Sequence, residues 1–196
     1  MKKQILAAAL LAVASFGASA AEPLSYTYVQ AGYNRVNVDI DESTDMDFNG
    51  FAAQGSFEFA DNFHVFGGYA SSSNDDFIDL DLNEYQVGLG FHHEIADNAD
   101  ALLEVSYINR EVEASLFGVS GSEDVDAYRA SAGIRGAFND YVTGSLKVNY
   151  TDSDLGSEFA PSFGLEVRFN PMWSLVGDAE IGSDEQRYGL AVRASF

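Results

Sequence analysis

Residues 127–138 read AYRASAGIRGAF, and their alternation decides the fold. Tyr128, Ala130, Ala132, Ile134 and Phe138 share one parity, while Arg129, Gly133 and Arg135 hold the other. A period of two is a strand signal, because successive side chains leave opposite faces of an extended chain. The apolar face begins and ends on a ring. From Tyr128 to Phe138 the chain advances ten residues, about 33 Å at the rise of a strand. A tilt of roughly 40° turns that length into about 25 Å along a membrane normal, the height of an outer-membrane apolar band.

The same pattern recurs along the chain. Ten segments of period two begin near Ser25, Phe48, Phe63, Leu82, Ala101, Asp126, Tyr141, Phe159, Trp173 and Arg187, each closed by Asp, Asn, Gly or Pro. Their connections alternate in length. Residues 60–62, 95–100, 139–140 and 170–172 are short, whereas 39–47, 72–81, 114–125, 152–158 and 183–186 are mostly longer and acidic. Short turns at one end and long loops at the other predict an all-β, transmembrane, antiparallel up-and-down barrel of ten strands, with both termini at the short-turn end. Eight strands result instead if the segment around Phe159 is loop.

The charges fall on the opposite parity from the large apolar residues. Glu58, Glu84, Glu104, Arg110, Arg129, Arg135, Lys147, Glu166, Arg168, Asp178, Glu180, Arg187 and Arg193 share it with many glycines. Arg35 and Glu111 are the exceptions, and both lie at strand ends beside long loops. A soluble barrel would also separate the two faces, so alternation alone does not place the chain in a membrane. The sorting of rings does. With strand directions taken from the connections, Tyr33, Tyr69, Tyr85, Tyr107, Tyr128, Tyr150 and Tyr188 gather at the long-loop end. Phe63, Phe91, Phe138, Phe169, Trp173 and Phe196 gather at the short-turn end. Two aromatic girdles bounding an aliphatic band are expected where a barrel crosses a bilayer. The inward charges Glu104, Arg129, Arg135, Lys147, Glu166, Arg168, Asp178, Glu180 and Arg193 are then expected to pair across a narrow lumen.

The first twenty residues, MKKQILAAALLAVASFGASA, have two lysines, an apolar run at 5–13 and the triplet Ala18-Ser19-Ala20. That is the layout of a secretory signal peptide, with cleavage expected after Ala20 and the barrel occupying 21–196. Formal net charge is −21; losing Lys2 and Lys3 makes it −23 and leaves Lys147 as the only lysine. Such acidity argues against nucleic acid, whose phosphates want a basic surface. There is no cysteine, so disulfides and thiolate metal sites are ruled out. Beyond residue 20 no apolar stretch approaches the roughly 20 residues of a membrane helix.

The stretches LSYTYVQAGY (24–33), FHVFGGY (63–69) and YQVGLGFHHEI (85–95) resemble the Ax-type outer-membrane family, named for proposed activation of plant immunity. In broad design the chain is similar to OmpA/OmpX-type small barrels. The likeness spans the mature chain in length and layout, while these motifs cover its first half. It implies an outer-membrane barrel in contact with outer-membrane lipids and lipopolysaccharide, with an extracellular or host partner. The family's proposed secreted signal fits these residues poorly, because releasing a first strand would open hydrogen-bonded edges in lipid. The closing RYGLAVRASF (187–196) resembles a barrel-assembly signal, which implies recognition of Phe196 by the outer-membrane insertion machinery.

No catalytic constellation emerges. His64, His92 and His93 lie near short turns with no Ser or Asp pattern around them that suggests hydrolysis. Asp39, Asp41, Asp45 and Asp47, with Ser43, alternate like the first ligands of a calcium loop. Thr44 nonetheless stands where glycine is needed and Gly50 where the bidentate Glu belongs. The expectation is a non-enzymatic, cofactor-free surface protein with acidic extracellular loops, structural or interacting. The alternative is a narrow cation-preferring pore for ions or small solutes.

Overall fold

A computed structural model describes residues 24–41, 44–74, 79–116, 119–154 and 156–196. Ten antiparallel strands run in chain order: β1 Tyr28–Asp41, β2 Thr44–Ala60, β3 Phe63–Asn74, β4 Asp79–Ala96, β5 Ala99–Leu116, β6 Val119–Asn139, β7 Val142–Ser153, β8 Gly156–Arg168, β9 Trp173–Ile181 and β10 Glu185–Ser195. Each pairs with its neighbour in sequence, and β1 closes on β10 from Tyr28↔Ser195 to Val38↔Glu185. The segment around Phe159 is a full strand, so the barrel has ten strands and not eight. Among the described residues no helix is long and apolar enough to cross a membrane.

The outward face is apolar to a degree that water would not tolerate. Val87, Leu89, Leu103 and Val105 are 55–59% exposed, and they pair in register as Val87↔Tyr107, Leu89↔Val105 and Phe91↔Leu103 across β4 and β5. A contiguous exposed apolar belt of this kind is the surface a lipid bilayer covers.

The structure corrects the expected long loops. Most of residues 39–47, 72–81, 114–125 and 152–158 is strand: pairing continues to Asp41↔Thr44, Asn74↔Leu80, Leu116↔Val119 and Ser153↔Gly156. At the last of these, Gly156 takes a φ of +136°, a value open to glycine but strained for other residues. β5 and β6 stay paired for nine residues beyond Tyr107↔Tyr128, about 30 Å of ribbon.

The alternation continues there but inverts at the tyrosine ring. On the outer face Tyr85 gives way to Asn83 and then Asp81, Tyr107 to Asn109, Glu111 and Glu113, and Tyr128 to Asp126 and Asp124. On the inner face Val36, Phe48 and Leu82 become buried, packed with Val38, Met46, Leu80 and Val112. Where the outer face meets lipid it must be apolar and the lumen holds the charges. Where it meets water the arrangement reverts to that of a soluble sheet, with acids outside and an apolar core within. The inversion marks the membrane boundary. The tyrosine hydroxyls mark it too: Tyr69 donates to Asn83 (2.8 Å), Tyr107 to Asp126 (2.6 Å), Tyr188 to Gln186 (2.9 Å) and Tyr33 to Asn49.

Candidate functional site: the lumen and the acidic hairpins

Inside the apolar band the lumen is crossed by ion pairs at successive heights. Nearest the long hairpins, Glu84 of β4 accepts from Arg110 of β5 (3.0 Å) and from Arg187 of β10 (2.7 Å). Glu185 accepts from the same two guanidiniums, at 3.0 Å from Arg110. Strands β4 and β10 stand nearly opposite in the ten-strand ring, so this cluster ties one wall to the other. Below it, Arg129 of β6 bonds Glu180 of β9 (3.0 Å), which also accepts from Asn149 (2.8 Å). Lys147 bonds Glu104 (2.9 Å).

At the short-turn end Glu166 of β8 is a hub. Its Oε2 accepts from Arg135 and Arg193, both at 3.0 Å, and its Oε1 lies 3.6 Å from Arg168. All four side chains are buried. The guanidiniums have further contacts: Arg135 donates to the Ser25 carbonyl (2.9 Å) and lies over Tyr26, while Arg193 donates to Gln30 and sits 3.9 Å above the Tyr28 ring. Tyr26, ahead of β1, is buried in the lumen. It stacks on His92 at 3.8 Å and donates to Asp100 (2.8 Å).

The nine lumen charges expected from sequence therefore lie on the inner face, but Asp178 differs from the rest. It has no ion pair among the described residues and occupies space left by Gly189, where a Cβ would come within 2.5 Å of its carboxylate. His64 is also buried inside, 3.7 Å from Glu104, against Gly90, whose missing Cβ leaves room for the imidazole. His93 points outward and is exposed. Glu185, in the expected connection 183–186, belongs to the lumen network. So do Gln30, Gln54 and Gln86, mid-strand inward residues whose uncharged side chains leave no mark in the parity of charges. Gln30 and Gln54 bond each other (3.1 Å), and all three line both of two interior cavities of about 260 Å³ and 170 Å³. A glutamine layer thus lies between the cavities.

Of the four aspartates in the calcium-like run, Asp47 is engaged by Arg35 (2.7 Å) and Asn37. The side chains of Asp39, Asp41 and Asp45 lie outside the described residues; their backbones are hairpin strand. No cluster of three or more metal-ligating residues occurs among the described residues.

Every described cation has a carboxylate within 4.0 Å. Arg110, Arg129, Arg135, Lys147, Arg168, Arg187 and Arg193 are paired inside, and Arg35 is paired at the boundary. The acids of the hairpins beyond the tyrosine ring, Asp81, Glu111, Glu113, Glu123 and Asp124, have no cation of the described chain as partner.

A lipid-facing apolar wall, two aromatic rings and a lumen filled with paired charge define a small transmembrane β-barrel. The outer membrane protein beta-barrel domain family matches residues 6–169, and the chain belongs to that family of bacterial outer-membrane proteins. Among solved structures it is similar to Neisserial surface protein A, with TM-score 0.50 and 11% identity over 88% of this chain and 98% of that one. It is also similar to the translocator domain of the autotransporter NalP from Neisseria meningitidis, with TM-score 0.50 and 9% identity over 100% and 96%. The attachment invasion locus protein Ail of Yersinia pestis aligns at TM-score 0.49 and 17% identity, over 86% and 98%. These identities speak to the fold alone. No curated protein sequence matches the chain.

Proposed function

We propose that this chain is a non-enzymatic outer-membrane barrel with an occluded lumen, whose working surface is the set of acidic hairpins facing the outside of the cell. The observation that carries this reading is the lumen itself: cross-wall ion pairs at several heights, a glutamine layer and an apolar core at the hairpin end interrupt the axis. Charges tied this closely rigidify a wall and leave little room for hydrated ions. The role is structural or interactive, in a membrane of lipids and lipopolysaccharide, with an extracellular partner. Residues 1–20 serve as a cleaved signal peptide in this reading, and Phe196, at the end of an alternating strand, is the mark for the insertion machinery. The motifs at 24–33, 63–69 and 85–95 support narrower membership in the Ax-type group.

Conductance of the refolded mature protein in planar bilayers tests the reading, with unheated and boiled gel samples establishing that a barrel has formed. A heat-modifiable but silent barrel is expected. Discrete cation-selective steps would make the lumen a pore and overturn the proposal.

A further inference from the structure

Strand β6 is paired on both sides only in its membrane-embedded part. Its register with β5 runs without a shift from Ala99↔Gly136 to Leu116↔Val119, whereas its register with β7 begins at Ala127↔Ser153, the last residue of β7. Among the described residues, 119–126 therefore have one strand neighbour. Alternate residues of a strand direct N–H and C=O to opposite edges, so about four of these eight leave both groups unpaired toward β7.

Native edges are usually blunted by charged side chains, Pro or a bulge. This one, VSGSEDVD, has no Pro, its ladder with β5 carries no bulge, and its charges are all acidic, so they guard it against strands that are not basic. Gly121, Ser122, Glu123, Asp124 and Asp126 are exposed, and a side chain added at Gly121 would meet nothing within 4 Å. Eight residues exceed the usual five or six of a strand.

We propose that this edge of β6 accepts an extended basic peptide segment as an added strand, with Lys or Arg at every second position. Charge selects the occupant. Glu123, Asp124 and Asp126 lie on the edge strand and Glu111 and Glu113 on β5 behind it, while Arg110 of β5 is held by Glu84 and Glu185. A second copy of the chain is disfavoured, because antiparallel self-pairing would set these acids against each other. Main-chain pairing would supply affinity and the alternating cations specificity. The inference deepens the surface-interaction reading and rests on the hairpins facing outward.

The test uses the mature barrel refolded in detergent and a fluorescent eight-residue peptide alternating Lys and Val. Two isomers of that peptide, N-methylated on the Lys or on the Val nitrogens, keep the charge and block one hydrogen-bonding edge each. The parent peptide and one isomer should bind, the other at least tenfold more weakly, and amide exchange over residues 119–126 should slow tenfold with the parent. The double substitution Glu123→Lys with Asp124→Lys should weaken binding at least tenfold in a barrel that remains heat-modifiable. Equal binding of both isomers, or unchanged exchange at 119–126, would reduce the attraction to bulk charge and overturn the proposal. The chain has no cysteine, so Ser122→Cys offers a single thiol for an impermeant maleimide on intact cells. Peptide pairing without surface labelling would refute the outward orientation and leave the docking edge standing.

Discussion

Replacing Glu166 with alanine removes a carboxylate that lies within 4.0 Å of Arg135, Arg168 and Arg193. Each of those residues is at most 9% exposed, so the charges left behind cannot simply turn to bulk water. Removing one partner of a buried pair costs about 3–5 kcal/mol, because the surviving charge stays desolvated. Three cations share the loss, which argues for the top of that range. Against this, Arg135 keeps the Ser25 carbonyl and Arg193 keeps Gln30 and the Tyr28 face, which brings the expectation back to about 3–4 kcal/mol. Urea unfolding in lipid vesicles measures it, with the single tryptophan, Trp173, as the optical probe on the lipid-facing side of the short-turn end. Glu166→Gln, which retains an acceptor, should lose less. Adding Arg135→Met and Arg193→Met to the alanine variant should recover much of the loss, since the orphaned charges disappear. A Glu166→Ala barrel within about 0.5 kcal/mol of wild type, the range of ordinary surface substitutions, would refute the hub.

On the lipid face, Leu190→Arg should cost about 2–4 kcal/mol near the midplane, and Ala191→Arg, one residue along on the lumen face beside the upper cavity, should cost less; unfolding in vesicles compares them, and equal losses would contradict the assignment of faces. Phe48→Ala should destabilise the apolar core above the membrane by about 3–5 kcal/mol. Its signature is protease clipping in the β1–β2 hairpin while the embedded barrel stays heat-modifiable, and unchanged protection would show that the core does not hold the hairpin. Tyr26→Ala, which empties the stack on His92, should speed amide exchange at Ser25–Tyr28 contacts and at the Phe196 N–H bonded to Thr27 (2.9 Å), and should leave the upper ion pairs unaffected.

The embedded barrel was legible in the sequence because lipid imposes one simple rule on its outer face. Tyr128 to Phe138 could be read as a membrane crossing without any knowledge of their neighbours, and the parity of Arg129 and Arg135 followed from it. What lies above the tyrosines obeys the opposite rule, and so reads as loop. DLDLNEY (79–85) contains the switch in seven letters: Leu80 and Leu82 alternate with acids on the parity that Glu84 and Gln86 hold below. A strand pattern that changes parity at a tyrosine is its signature in sequence. Partner choice within the lumen was not legible. Nothing in the spacing says that Glu166 gathers three guanidiniums while Asp178 gathers none, since β6, β8 and β10 meet there only through barrel closure.

The distribution of charge links these parts. A lumen this narrow cannot hold unpaired arginines at tolerable cost, so each of its seven cations is matched there with one of five shared carboxylates, Glu84, Glu104, Glu166, Glu180 and Glu185. That matching withdraws nearly all positive charge of the described chain from the surface. The hairpins are thus left with acids that no described cation offsets. Partly screened at physiological ionic strength, where the Debye length is about 8 Å, such a surface still favours cationic partners and resists self-association. Exchanging charge between the two compartments should expose the link. Glu123→Lys adds a cation where none is balanced and should leave unfolding within about 0.5 kcal/mol of wild type. The same reversal at Glu104, beside Lys147 at 2.9 Å and buried His64 at 3.7 Å, should cost several kcal/mol. Similar costs at the two positions would mean that the lumen is wet enough to screen its own charges, and its ion pairs would then not serve as the plug.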